Sequence, residues 1–195
     1  MPKPHKFNKF LKAMLTMFGI GYSKYAPGTL ASFTTCIIYL LIFYLSSNTL
    51  ALFLFYYNPE YVVYFLIIIT ISSINLINDR SFRDKFAKLF KKNDPKEIVI
   101  DEFIGQSIPI ISYWYFNFGV ANDSFKNASS FFYFNSFWAW IITSFILFRF
   151  FDILKPYPIN IIDKKMKSGL GIMLDDIIAG IYSTIAGFII WTLWF

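Results

Sequence analysis

The feature that most constrains this chain is a set of apolar runs about as long as a bilayer is thick. A helix needs about 20 mostly apolar residues to cross the hydrocarbon core, where its backbone groups must be satisfied internally. Four or five runs approach that length, near 30 to 47, 60 to 78, 103 to 119, 130 to 151 and 177 to 195. The third carries Gln106, Pro109 and Ser112, so a half-buried or re-entrant segment competes there with a full crossing. The stretch 48 to 59 is apolar enough to blur the border between the first two. A hydrophobic share of 56% against 15% charged residues belongs to the same class. The expected fold is all-α, a polytopic membrane helical bundle forming one domain over 1–195. No signal-peptide cleavage pattern follows the first run, so the runs read as mature structure.

Basic residues orient the bundle. Lys3, Lys6, Lys9 and Lys12 precede the first run, seven Arg and Lys between Arg80 and Lys96 follow the second, and Lys155, Lys164, Lys165 and Lys167 precede the last. The connections 48 to 59 and 119 to 129 hold Lys126 alone. By the positive-inside rule the three basic segments face the cytoplasm, with two crossings between successive ones. The net charge of +6 is then a topogenic signal. Nucleic-acid binding is not expected, because no soluble portion is large enough for a basic face with aromatic platforms. No protein partner is predicted. Residues 1–18 read as a basic amphipathic segment suited to the anionic inner leaflet.

The same orientation sorts the acids. Asp79, Asp84, Asp94, Glu97, Asp101, Glu102, Asp152, Asp163, Asp175 and Asp176 fall at the cytoplasmic side, and Glu60 and Asp123 at the other. Ionised carboxylates beside apolar runs are costly unless a cation, a hydrogen bond or water compensates them, so their convergence on one face is a functional signal.

Three stretches carry these acids, and each has a plain structural reading beside the functional one. In "NDPKEIVIDEFIG", Asp94, Pro95 and Glu97 fit an N-cap, a first-turn proline and a capping-box acid. Asp101 and Glu102 come later, inside the helix, where no capping duty remains. Adjacent helical positions diverge by about 100°, so one is expected to face the bundle and the other the headgroups. In "RFFDILKPYPI", Asp152 and Lys155 precede Pro156 and Pro158; a helix-end charge cluster with Arg149 competes there with a phosphate clamp. Asp163 beside Lys164 and Lys165 reads as a solvated charge run. In "SGLGIMLDDIIAGIYS", Gly169 and Gly171 form a flexible turn and Asp175 and Asp176 open the last helix. Gly105 and Gly180 each follow an acid by four residues, on the acid's own face, and let another helix come close. A fourth stretch, "APGTLAS", makes a turn at Pro27 and Gly28 with Thr29 or Ser32 as helix cap, and free amides at such a start attract phosphate.

The chemistry open to these residues is narrow. Cys36 is the one cysteine and His5 the one histidine. That excludes an internal disulfide, a zinc pattern, and Ser-His or Cys-His catalysis. Carboxylates alone suit a hard, oxygen-liganded cation, Mg²⁺ above all. A Mg²⁺-dependent phosphoryl enzyme with a phospholipid substrate follows. The rival is a small membrane transporter or channel that binds a cation through its carboxylates, whose acids would belong near the bilayer midplane.

"APGTLAS", "DPKEIVIDEFIGQ", "FRFFDILKPYPI" and "GLGIMLDDIIAGIYS", in this order and spacing, resemble the signature segments of the phosphatidylglycerophosphatase A family over about 18 to 190. The resemblance implies an all-helical, multi-pass enzyme of the bacterial inner membrane with its active site facing the cytoplasm. That enzyme uses Mg²⁺ to hydrolyse phosphatidylglycerophosphate to phosphatidylglycerol and phosphate in phospholipid biosynthesis. Carried over by position, Asp101, Glu102, Asp175 and Asp176 are metal ligands, with Asp94, Glu97 and Asp152 as further candidates. Asp152 joins these four as ligand or water-orienting base, and Lys155 with Pro27, Gly28 and Thr29 contacts substrate. Lys24, Ala31, Ile100 and Ser168 depart from the family pattern without touching a proposed ligand.

Overall fold

The computed structural model describes residues 6–46, 59–85, 96–114, 130–166 and 168–194. These residues form helices, with no strand among them. In chain order they are α1 (Lys6–Leu15), a 3₁₀ turn (Met17–Tyr22), α2 (Pro27–Ser46), α3 (Pro59–Asn78), α4 (Arg80–Lys85), α5 (Ile100–Trp114), α6 (Ser130–Leu154), α7 (Ile159–Lys165) and α8 (Gly169–Trp194).

Four of these are long and apolar enough to cross a membrane, with spanning windows Pro27–Leu45, Tyr61–Asn78, Phe137–Leu154 and Gly169–Leu193. The chain is therefore a multi-pass membrane protein. Outward-facing side chains such as Ile68, Ile146 and Leu193 are exposed, as a lipid-facing surface requires. Among the described residues, the helix within the run at 103 to 119 does not qualify. That helix, α5, has 15 residues, about 22 Å of rise against a hydrocarbon core of about 30 Å. Its outer turn carries acids, and Pro109 interrupts its hydrogen-bond ladder.

Helix boundaries differ from the sequence expectation at three starts. α5 begins at Ile100, so Asp101 and Glu102 lie in its first turn, where carboxylates favour the helix dipole. Glu97 stands in the turn before it and does not cap, and Asp94 and Pro95 lie outside the described residues. α2 begins with Pro27 in the helix itself, so neither Thr29 nor Ser32 caps it; the Ser32 hydroxyl instead donates to the Gly28 carbonyl at 3.0 Å. α8 begins at Gly169 and not near 177, because the Gly169 amide donates to the Asn78 side chain at 2.9 Å and continues the helix from there. Asp175 and Asp176 are consequently nearly two turns inside α8 rather than at its opening.

α5 sits at the centre, packed along α8 and flanked by α2, α3 and α6. The helices come closest where Gly105 of α5 meets Gly180 of α8. A Cβ on Gly180 would collide with the Gly105 carbonyl, and one on Gly105 would lie 2.7 Å from the Asp176 carbonyl and 2.7 Å from the Phe148 ring. Pro109 has no N–H to offer the Gly105 carbonyl four residues earlier, so that oxygen is left facing α8. Beyond this contact the core turns aromatic. Trp140 is buried against Phe188, Tyr113 and Trp191 at ring separations of 4.8, 5.3 and 5.8 Å. Its indole N–H donates to the Pro109 carbonyl at 2.8 Å. Cys36 is buried in the same cluster, as a small apolar residue.

Candidate active site

The starts of α2, α5 and α8 and the end of α6 converge at one end of the bundle. There they enclose a cavity of about 170 Å³ lined by Pro27, Asp101, Glu102, Asp152, Lys155, Asp175 and Asp176, joined by Lys96, Ile98, Asp163, Met166, Gly171 and Ile172. Acids that lie up to 75 positions apart in the sequence thus share one hollow.

Asp101, Glu102 and Asp176 each offer a carboxylate oxygen within 4.8 Å of the others. Asp101 and Glu102 both point inward, so the expectation that one faces the headgroups is corrected. In the first turn of a helix that starts at the cavity rim, both neighbouring positions look onto the same opening. Asp101 Oδ1, Glu102 Oε2 and Asp175 Oδ1 are buried without a hydrogen-bond partner. Such oxygens are expensive unless something positive meets them. Burial foremost, then the Glu102 and Asp176 charges, push the Asp101 carboxyl well above its ordinary value. A donor set of oxygens only, with no histidine or thiol, is what a hard divalent cation selects. The trio fits a metal ion.

Asp175 stands slightly apart from the trio. Its Oδ2 accepts from Lys155 Nζ at 2.7 Å, and the same Nζ donates to Asp163 Oδ1 at 2.9 Å. Burial opposes the Lys155 charge, but the Asp175 and Asp163 carboxylates outweigh it and hold the ammonium above its usual pKa. Asp163 is therefore a cavity residue and not a solvated surface charge. Asp152 pairs with Arg149 at 2.5 Å and acts electrostatically on Glu102 and Asp176.

Gly28 has a specific reason. A Cβ there would collide with the Glu102 carboxylate and lie 3.4 Å from Arg149 Nη1. The glycine at the start of α2 is what lets Glu102 and Arg149 sit against that helix. Among the other sequence candidates, Pro27 lines the cavity, whereas Thr29 and Glu97 do not. Asp94 is outside the described residues. Asp163, Arg149 and Lys96 were not legible as site residues. Asp163 and Lys155 are separated by eight positions and two prolines, and α7 must fold back before they meet.

The profile of the phosphatidylglycerophosphatase A family matches residues 13–191. A "Putative phosphatidylinositol-3-phosphatase" of Bacteroides thetaiotaomicron is 32% identical over 178 residues, 90% of this chain and 91% of that protein. A "Phosphatidylglycerophosphatase A" of Haemophilus influenzae is 57% identical over 53 residues, 27% of this chain, and one of Escherichia coli is 35% identical over 97 residues, 50% of this chain. These two alignments span 32% and 45% of the relatives' own lengths. No solved structure matches.

Proposed function

The chain belongs to the phosphatidylglycerophosphatase A family, and from that premise we propose that it hydrolyses the terminal phosphate of phosphatidylglycerophosphate, releasing phosphatidylglycerol and inorganic phosphate. The observation that carries this reading is the meeting of Asp101, Glu102 and Asp176, where buried oxygens of Asp101 and Glu102 lack hydrogen-bond partners. We assign Mg²⁺ to that point, held by Asp101, Glu102 and Asp176, with Asp175 alongside. Bound there, the ion supplies neutralisation of charge on the phosphate oxygens and orientation of a water.

The protein's own groups do the rest. An ammonium has three donors, and Lys155 spends two on Asp163 and Asp175. The remaining one is available to a phosphoryl oxygen. Asp152, kept in place by Arg149, is the carboxylate assigned to take the proton of the attacking water. A P–O bond forms to that water as the ester P–O bond breaks, and the lipid alkoxide takes a proton from solvent water while Asp152 returns the one it accepted.

The acidic end is read as the cytoplasmic one, at the inner membrane of a bacterium. Lys96, Lys155, Lys164 and Lys165 lie at or beside the cavity, in agreement with the positive-inside rule. α8 has 26 residues, about 39 Å against a core of about 30 Å, so its acid-bearing turns suit headgroup depth. That position at the bundle's end disfavours a transport role for these acids.

A second reading concerns the headgroup. The Bacteroides relative, matched along nearly its whole length, is named for a phosphoinositide, so a phosphate on an inositol lipid is the competing substrate. Phosphate release by detergent-solubilised protein from either lipid, with and without Mg²⁺, decides both points. Turnover of phosphatidylglycerophosphate that requires Mg²⁺ and falls by about 10²–10³ in Asp101→Asn and Asp176→Asn is expected, the size usual for loss of a charge-stabilising group. Unchanged turnover in these variants refutes the assigned ligands.

A further inference from the structure

The turn that follows α6 brings the chain back over the cavity in an unfavourable conformation. Lys155, immediately after the last residue of α6, has φ +44°, in the left-handed region where helices usually place glycine. Its amide still donates to the Phe151 carbonyl at 2.9 Å, so the backbone duty of the position is met, and glycine would meet it without strain. A residue held in such a conformation points to a use for its side chain. Here the side chain crosses to Asp175 of α8, and a second carboxylate is supplied to it from α7. The anchor of α7 is Ile159, fully buried against Phe148 and Ala179. One helical turn later Asp163 reaches the Lys155 ammonium, while its own side chain stays about a third exposed at 33%. Burial does not explain Asp163, and its contact with Lys155 ties it to the cavity.

We propose that Asp163 is a positioning residue: it holds Lys155 across the cavity so that the ammonium engages one oxygen of Asp175 and leaves the other oxygen open to a cation. Two carboxylates on one ammonium give the group a net negative charge, so Asp175 still attracts a divalent ion although it is already paired. Without Asp163, Lys155 would neutralise Asp175, and the cavity would lose both a fixed donor and part of its pull on cations. The activity arm of the test rests on the phosphatase reading; the binding arm does not.

The test uses the full-length, detergent-solubilised protein as wild type, Asp163→Asn, Asp163→Glu, Lys155→Met and the Lys155→Met/Asp163→Asn double variant. Mn²⁺ alone, followed by electron paramagnetic resonance, probes the cation site. Phosphate release from phosphatidylglycerophosphate gives kcat and KM, and thermal melting reports folding. Asp163→Asn is expected to lower kcat and Mn²⁺ affinity by about 10- to 100-fold, the range for groups that orient a ligand, with a smaller change in KM. Asp163→Glu should recover most of the loss. In the Lys155→Met background, adding Asp163→Asn should change neither quantity by more than about twofold, since coupled residues are not additive.

The proposal is overturned if Asp163→Asn matches wild type in both readouts, or if its full effect persists without Lys155. It is also overturned if Glu fails to restore function while the melting temperature falls, as expected of a merely structural residue. Should the wild type release no phosphate at all, the phosphatase reading fails on its own. Mn²⁺ binding then decides this inference, and unchanged or tighter binding in Asp163→Asn sinks it.

Discussion

The two ends of the bundle are built on opposite principles. At the acidic end the helices come close enough for backbones to touch, at Gly105 and Gly180, and carboxylates line the cavity beside that contact. At the other end bulk separates them, with Trp140, Phe188, Tyr113, Trp191 and Phe137 filling the space between α5, α6 and α8. Lipid tails are as apolar as any side chain, so neither end is held by the hydrophobic effect in its usual form. Packing contacts and hydrogen bonds between helices must do it. The aromatic end gains its dispersion from large rings. The acidic end has buried carboxylates to accommodate, and it draws the helices together with glycine so that acids on different helices share one cavity.

This contrast can be broken experimentally, beginning with its largest effect. Trp140→Ala removes the ring that touches three aromatic neighbours and the indole donor to Pro109. It should cost about 3–5 kcal/mol of stability, read from thermal or denaturant unfolding in detergent. Phosphate release per folded molecule should stay near wild type, because no acid moves; a specific loss of turnover with intact stability would show that the two ends are not separable.

Gly180→Ala works on the other principle. The added methyl meets the Gly105 carbonyl and must spread α5 from α8. Overpacking of this kind costs about 1–3 kcal/mol, and here turnover should fall with it, since Asp101 and Asp176 ride on those two helices. An active Gly180→Ala enzyme would mean that the close approach serves packing alone.

The smallest effect should arise at the seam between the ends, where the buried Ser183 hydroxyl donates to the Ser144 carbonyl at 3.2 Å. Bonds between helices within a membrane average about 0.6 kcal/mol, so Ser183→Ala should lower stability by about that amount and leave turnover alone. Unfolding at matched detergent concentration resolves the difference.

What the sequence determined on its own was the class of molecule and the cast of residues. Apolar runs of spanning length, separated by basic segments, admit few folds other than a membrane helical bundle, because a backbone in lipid must bond to itself. Two glycines spaced alike from two acids foretold close helix approach at both positions, though not that they would meet each other. The absence of histidine and thiol pairs left oxygen chemistry as the remaining option for the acids.

Where those residues point was settled by how the helices pack. Whether Asp101 and Glu102 diverge or converge depends on how far along the helix they lie. That start is set by the Leu15 carbonyl, which accepts the Val99 amide at 3.0 Å, a contact across more than 80 positions. The partnership of Lys155 with Asp163 depends on a turn through two prolines and on the burial of Ile159 against helices before and after it. Local pattern records which side chains prefer water or lipid. It carries no information about the long-range backbone contacts that set the angle and depth of each helix, and those contacts bring the carboxylates together.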